Sequence, residues 1–210
     1  MGLSGPEMAQ PKGVITTPQI LTLRDGSKGT LIPFYKRHLE DTAYLPPTLV
    51  DFLYGEFSRE VDKGDTYPHL HPLSKEEFVD YWFGAFCAVL LRGENTIAVE
   101  GMKWEEEVLG TYYIKPNYIG RCSHNCNGGF LVNHRMRGNS VGKALGRSYL
   151  KWAPILGYTY SVFNLVFETN PASIKIWDDL GFDRIGRIPN VGDLKGKGKV
   201  SAIMFGKELV

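Results

Sequence analysis

The sequence predicts a mixed α/β domain, and two stretches carry the prediction. Between Asn127 and Phe182 the chain reads as strand, glycine loop, helix, strand and helix, a βαβα unit. Ahead of it, apolar runs at 20–23, 30–32, 87–91 and 108–114 have the length of strands. Composition bounds the class: 210 residues, 43% hydrophobic and 22% charged, suit one globular core.

Residues 1–13 are expected to form a disordered tail and 14–210 a single domain. From Val14 the chain alternates through Ile20–Leu23, turns at Asp25-Gly26-Ser27 and returns through Thr30–Ile32 as a hairpin. Pro46-Pro47 opens a helix carrying Leu49, Phe52, Leu53, Phe57 and Val61. Ser74 and Glu77 form a capping box for a second helix with Phe78, Tyr81 and Trp82. Strands follow at Cys87–Leu91 and Val108–Ile114, joined by a charged, unpatterned loop through Trp104.

In the βαβα unit the first strand ends at Val132, and Asn127 falls in the loop ahead of it. Val141, Ala144, Leu145, Tyr149, Trp152 and Ala153 recur at helical spacing until Pro154. Phe163–Phe167 reads as a short buried strand. Asn170 before Pro171 is an N-cap followed by proline at the first helical position. Ser173, Ile176, Trp177 and Leu180 form that helix's inward stripe, and Gly181 ends it.

The loop Arg137-Gly138-Asn139-Ser140-Val141-Gly142 opens the first of these helices. Helix-start N–H groups lack intrahelical partners and carry the positive end of the dipole, so they seat phosphate. A diphosphate-bearing cofactor is the first expectation. Gly138-Asn139-Ser140-Val141-Gly142 also matches the nucleophile elbow of serine hydrolases, which needs a histidine after the serine. All five histidines (His38, His69, His71, His124 and His134) precede Ser140, and the turn from Val132 is too long.

A net charge of +1 points to neither nucleic acid nor an anionic membrane. The one basic cluster, 195–199, reads as a solvated glycine-rich loop. There is no membrane-spanning run and no secretory pattern, and Pro6 stands where a myristoylation signal needs Ser or Thr. Three cysteines argue against a disulfide framework, so a cytoplasmic location is expected. Cys122, His124 and Cys126, with His134, match no common zinc spacing, and no metal is expected.

With strands ahead of it, the βαβα layout resembles the GNAT superfamily of acetyl-coenzyme A-dependent N-acetyltransferases. That likeness implies a central mixed, mostly antiparallel sheet flanked by helices. The superfamily's pyrophosphate loop follows R/Q-x-x-G-x-G/A, and Arg137, Ser140 and Gly142 occupy its fixed positions. Serine replaces the first glycine, which is tolerable if Ser140 donates its N–H from a helical conformation. A second signature is matched in register by Asn170, Ser173, Trp177, Gly181 and Phe182. A closer resemblance is to the yeast proline-analogue-resistance acetyltransferases, which acetylate L-azetidine-2-carboxylate and cis-4-hydroxy-L-proline. It rests on the segments 64–71, 110–118, 121–127, 152–158, 163–167 and 175–180, and spans about residues 45 to 208.

The resemblance implies acetyl-CoA as co-substrate, held by Phe130, Leu131, Val132, the loop 137–142, Asn170, Ser173 and Trp177. It implies catalytic roles for Asn127, Asn164 and Asn170, with Asn127, Asn164 and Leu165 against the acceptor. Superfamily strands of this kind polarise the thioester carbonyl with backbone N–H groups, and Gly128-Gly129 permits close approach; a simple β-bulge is the plainer reading of the pair, and both can hold at once. Many members use a carboxylate base and a tyrosine acid. Here Trp177 replaces the tyrosine, and an indole cannot act as an acid at neutral pH. Amides cannot take a proton either, so the asparagines are expected to orient substrate, water or thiolate, with water as acceptor. Other small amines, a peptide N-terminus and a non-catalytic CoA-binding module stay open as alternatives, as does a homodimer.

Overall fold

The computed structural model describes residues 9–210. Residues 1–8 of the expected tail lie outside the described residues; beyond them, the N–H groups of Lys12 and Gly13 both donate to the Leu156 carbonyl. β1 (Gln19–Thr22) and β2 (Lys28–Phe34) form the hairpin, and in its turn the Ser27 N–H and Oγ both donate to the Asp25 carboxylate. α1 (Pro47–Lys63) begins at the double proline and stops at Gly64, whose φ of 70° is the left-handed value that ends helices. α2 (Lys75–Phe83) opens on the reciprocal Ser74–Glu77 capping box.

β3 (Phe86–Arg92) and β4 (Val108–Pro116) follow, and the loop expected between them ends instead in one helical turn, α3 (Trp104–Glu107). Trp104 is buried and its Nε1 donates to Thr48 Oγ1 at 2.8 Å, tethering the turn to α1. A buried indole needs such a partner, which charge patterning alone does not reveal.

β5 (Asn125–Val132), α4 (Val141–Ile155), β6 (Tyr160–Phe167) and α5 (Pro171–Asp179) are the βαβα unit. Asn127 stands within β5 rather than in a loop, because its backbone pairs with Lys115 of β4. Beyond Phe182, where no element was expected, β7 (Asp183–Leu194) and β8 (Gly198–Glu208) make a long hairpin. β7 lies at the sheet edge with most of its side chains exposed, so it carries no apolar alternation to be read. The basic run 195–199 spans the turn of this hairpin, 195–197, and the first two residues of β8.

The strands form one sheet in the order β1-β2-β3-β4-β5-β6-β8-β7, antiparallel throughout except between β5 and β6. Leu31, Ala88, Leu90 and Tyr112 face α4 and α5, where Leu145, Tyr149, Trp152 and Trp177 cover them. Ile32, Val89, Leu91 and Tyr113 face the other way, under Leu53, Phe57 and Phe78 of α1 and α2. Central strands buried on both faces read as continuous apolar runs, which is why β3 and β4 are plain in the sequence. No described helix is long and apolar enough to cross a membrane.

β5 pairs with β4 without a break through Gly128 and Gly129, so the glycine pair is no bulge. A Cβ on Gly129 would stand 2.3 Å from Cε1 of Tyr113, and one on Gly128 2.7 Å from Cε2 of Tyr149. The rings on the two faces leave no room for side chains. Gly129→Ala should therefore lower stability by about 1–3 kcal/mol, roughly 2–4 °C of Tm per kcal/mol at this size. Thermal melting of the two proteins measures it.

Candidate active site

β5 and β6 pair in parallel only at Asn125–Tyr160 and Cys126–Ser161, and then part. The backbone of 128–132 that faces β6 consequently has no ladder partner. A cleft of about 180 Å³ opens at the split, with Asn127, Gly128, Gly129 and Phe130 on one wall and residues 163–167 on the other. The pairing of β6 with β8 is irregular between Phe163 and Val166, which takes Asn164 and Leu165 out of register. Bulges of this kind re-aim side chains at sites.

The two faces of the split differ. On the α4–α5 side, Phe130, Phe163 and Trp177 form an aromatic wedge with ring centroids 4.4 to 5.8 Å apart. The Trp177 indole donates to Ser173 Oγ at 3.0 Å, so it packs and positions rather than transfers a proton. On the opposite side, amides bridge the split. The Asn117 Oδ1 accepts from Asn127 Nδ2 at 2.9 Å and from Asn164 Nδ2 at 2.6 Å. Asn117 is buried, and it is the residue that joins the two strands; it lies in segment 110–118 of the family likeness, with no role assigned to it there.

Asn170 also lines the cleft, and its Oδ1 accepts from the Ser173 N–H at 3.1 Å as the N-cap of α5. The cleft thus brings together Asn127, Phe130, Asn164, Leu165, Asn170, Ser173 and Trp177. Leu131 and Val132 do not line it: Leu131 is buried under α1 and α2, and Val132 packs on the α4 core.

The loop Arg137–Gly142 lies at the start of α4, outside the cleft lining. Gly138 has φ 84° and Asn139 is exposed. Ser140 has φ 59° and ψ 15°, a left-handed rather than helical conformation, at the position where the pattern asks for glycine. Its side chain makes no cap, so the N–H groups of the first turn, from Val141 onward, are unclaimed by it. At Gly142 a Cβ would stand 3.0 Å from Ile176 Cδ1, so the missing side chain lets α4 and α5 approach. Arg137 is ion-paired to the buried Glu60 of α1, and Glu60 also accepts from Thr66 Oγ1 at 3.2 Å. Since Thr66 lines the cleft, one carboxylate ties the loop to the cleft wall. Diphosphate fits here on the chemistry of the donors: a helix start with free N–H groups, left-handed residues and an adjacent guanidinium.

Four further groups, Tyr67, Tyr81, Tyr113 and Lys115, are not read as site residues in the sequence. Tyr81 and Tyr113 line the cleft with hydroxyls 3.0 Å apart, and the Tyr67 hydroxyl donates to the Phe130 carbonyl at 3.1 Å. Lys115, 5% exposed, projects from β4 over the Tyr81 and Tyr113 rings, its Nζ 3.7 and 4.3 Å from their centroids. Burial pushes its ammonium down to about 7. His69 is held neutral by its own burial and then by Lys115, and its buried Nδ1 has no partner among the described residues. Glu168 is no poised base, because Arg187 clasps it at 2.6 and 3.0 Å and holds its carboxyl below the usual range. The cysteine-histidine run does not converge: Cys122 and His124 are exposed, whereas Cys126 is buried against the Tyr149 hydroxyl.

The model of the acetyltransferase (GNAT) family matches residues 59–182. The N-acetyltransferase aca1 of Schizosaccharomyces pombe is 43% identical over 154 residues, covering 70% of this chain and 73% of that protein. Protein SPT10 of Saccharomyces cerevisiae is 34% identical; the match covers 96% of this chain and 38% of that longer protein. Among solved structures, a GCN5-related N-acetyltransferase from Kribbella flavida superposes with a TM-score of 0.69 at 24% identity, over 85% of this chain and 97% of that one. A phosphinothricin acetyltransferase from Sinorhizobium meliloti, solved with acetyl-CoA, gives 0.66 at 17% identity, over 86% and 88%. These two likenesses are of fold. The chain belongs to the acetyltransferase (GNAT) family, whose acetyl donor is acetyl-coenzyme A.

Two outcomes follow from the geometry. Ser140→Gly removes a left-handed strain of about 1–2 kcal/mol, partly offset by backbone entropy, so Tm should rise by a degree or two. Lysine at 115 binds fewer protons folded than unfolded between pH 7 and 10.5, so its contribution to stability grows as pH rises through that window. Lys115→Met should therefore melt higher than the parent at pH 7, and the gap should close toward pH 10. Melting curves across pH test it.

Proposed function

We infer that this chain N-acetylates a small, proline-like imino acid from acetyl-CoA. The observation that carries the reading is the amide bridge Asn127–Asn117–Asn164 across a small cleft whose described lining holds no charged side chain. The segments resembling the proline-analogue-resistance acetyltransferases include all three of these asparagines.

Bound acetyl-CoA supplies an activated acetyl thioester. Asn127 and Asn164 orient the acceptor nitrogen, each amide offering donors and an acceptor. Holding the lone pair at a fixed angle converts a bimolecular encounter into a positioned one. The unpaired backbone of 128–132 offers N–H groups to a developing oxyanion. Neither amide nor indole accepts the amine proton, which passes to water. In this reading Asn170, which lines the cleft with Ser173 and Trp177, orients the leaving thiolate.

Thiol release with L-azetidine-2-carboxylate, cis-4-hydroxy-L-proline, proline, spermidine and a short peptide tests the substrate class. Turnover of the cyclic imino acids is expected, and turnover of spermidine or peptide alone would overturn it. Asn164→Ala should lower kcat by about 10²-fold with coenzyme A affinity by calorimetry nearly unchanged. Asn170→Ala should combine a rate loss with about 1 kcal/mol of lost cap. Near-normal turnover by folded Asn164→Ala sinks the amide mechanism.

A further inference from the structure

Lys115 presents a physical problem that the amide bridge does not solve. The residue is 5% exposed, yet among the described residues its ammonium meets no carboxylate. Its one hydrogen bond is to the Tyr81 carbonyl at 3.3 Å, and its remaining contacts are the faces of Tyr81 and Tyr113. Burying a cation without an anion is unfavourable, and an apolar residue of the same length would fill the space without that penalty. Its neighbours in β4, Ile114 and Pro116, are apolar and buried. Stability therefore offers no reason for a lysine here.

Its position relative to the cleft does. Lys115 lies directly opposite Asn127 in the β4–β5 register, and residues so paired share a sheet face about 5 Å apart. The two rings under its ammonium both line the cleft. No charged side chain belongs to the described lining, and burial, then Lys115, disfavours the charged form of His69. A negative charge entering beside Asn127 would find one ionisable amine behind the cleft wall and would favour its charged form, in surroundings where water screens little.

We propose that Lys115 is the specificity-determining counter-charge for the acceptor's carboxylate, seated behind the Tyr81–Tyr113 pair and beside Asn127. The inference rests on the imino-acid reading and deepens it. The amides hold the nitrogen, and the buried ammonium selects amines that carry an adjacent carboxylate. Binding pairs two charges that would each be costly to bury alone, so a neutral analogue of the same shape is discriminated against by leaving the lysine unpaired.

The test compares L-azetidine-2-carboxylate with its neutral carboxamide, using the parent, Lys115→Met and Lys115→Arg, each checked for folding by thermal melting. The parent should prefer the carboxylate. Lys115→Met should raise KM for the carboxylate by about tenfold or more while changing kcat, and both constants for the carboxamide, by less than about twofold. Lys115→Arg should keep the preference, since it keeps the charge. Equal losses on both acceptors with Lys115→Met would make the residue structural and overturn the proposal, as would an unchanged carboxylate KM. Should the parent turn over other amino acids but no cyclic imino acid, the substrate reading fails alone. The same carboxylate-to-amide ratio on those amino acids then decides Lys115. Turnover of uncharged amines only would overturn both.

Discussion

The structure depends on the parting of β5 from β6 after two residues of parallel pairing. A sheet that splits exposes backbone groups with strong hydrogen-bonding demands, and something must fill the gap or face it. Here the filling differs by face. Phe130, Phe163 and Trp177 wedge the α4–α5 side open with aromatic area, and the Asn127–Asn117–Asn164 amides span the other side with hydrogen bonds. The edge between them has no ladder partner and lines the cleft. The split is thus where the sheet is joined by the fewest residue pairs and where the cleft opens.

Other features serve to hold that opening in shape. Gly128 and Gly129 are required because Tyr149 and Tyr113 press on the strand from opposite faces. The irregular pairing of β6 with β8 frees Asn164 and Leu165 to face the cleft. From α1, the buried Glu60 reaches both Arg137 and Thr66, and the buried Glu56 binds His134 through its N–H and Nδ1. Two carboxylates on one helix therefore anchor the segment between β5 and α4. A cofactor seated on that segment and an acceptor in the cleft would share a rigid frame, which preorganised polar sites need.

Polarity in the site is arranged against stability. Ser140 occupies a left-handed conformation, and Lys115 is buried without an acid. Each departs from what local rules favour, and each stands beside the cleft or the loop that would hold the cofactor. Such conflicts concentrate where function constrains the chain.

The elements governed by neighbouring residues were legible in the sequence. The hairpin at Asp25–Ser27, the Ser74 capping box and the Asn170–Pro171 helix start follow from short-range sterics and hydrogen bonding and form as read; the glycine loop opens α4 as expected, but with Ser140 left-handed. Asn127, Asn164 and Asn170 were reached through the family likeness, and the structure adds that they line one cleft. Asn117 and Lys115 were passed over because a turn asparagine and a strand lysine look ordinary until β4 and β5 pair. The hairpin β7–β8 was missed because its edge strand is mostly exposed and its apolar period is weak. Local propensity and periodicity therefore set by sequence alone the helices, the central strands and the glycine loop that opens α4. Which strands part, which amides meet across the gap and which charge is buried beside them were decided by tertiary structure, because those contacts join residues far apart in the chain.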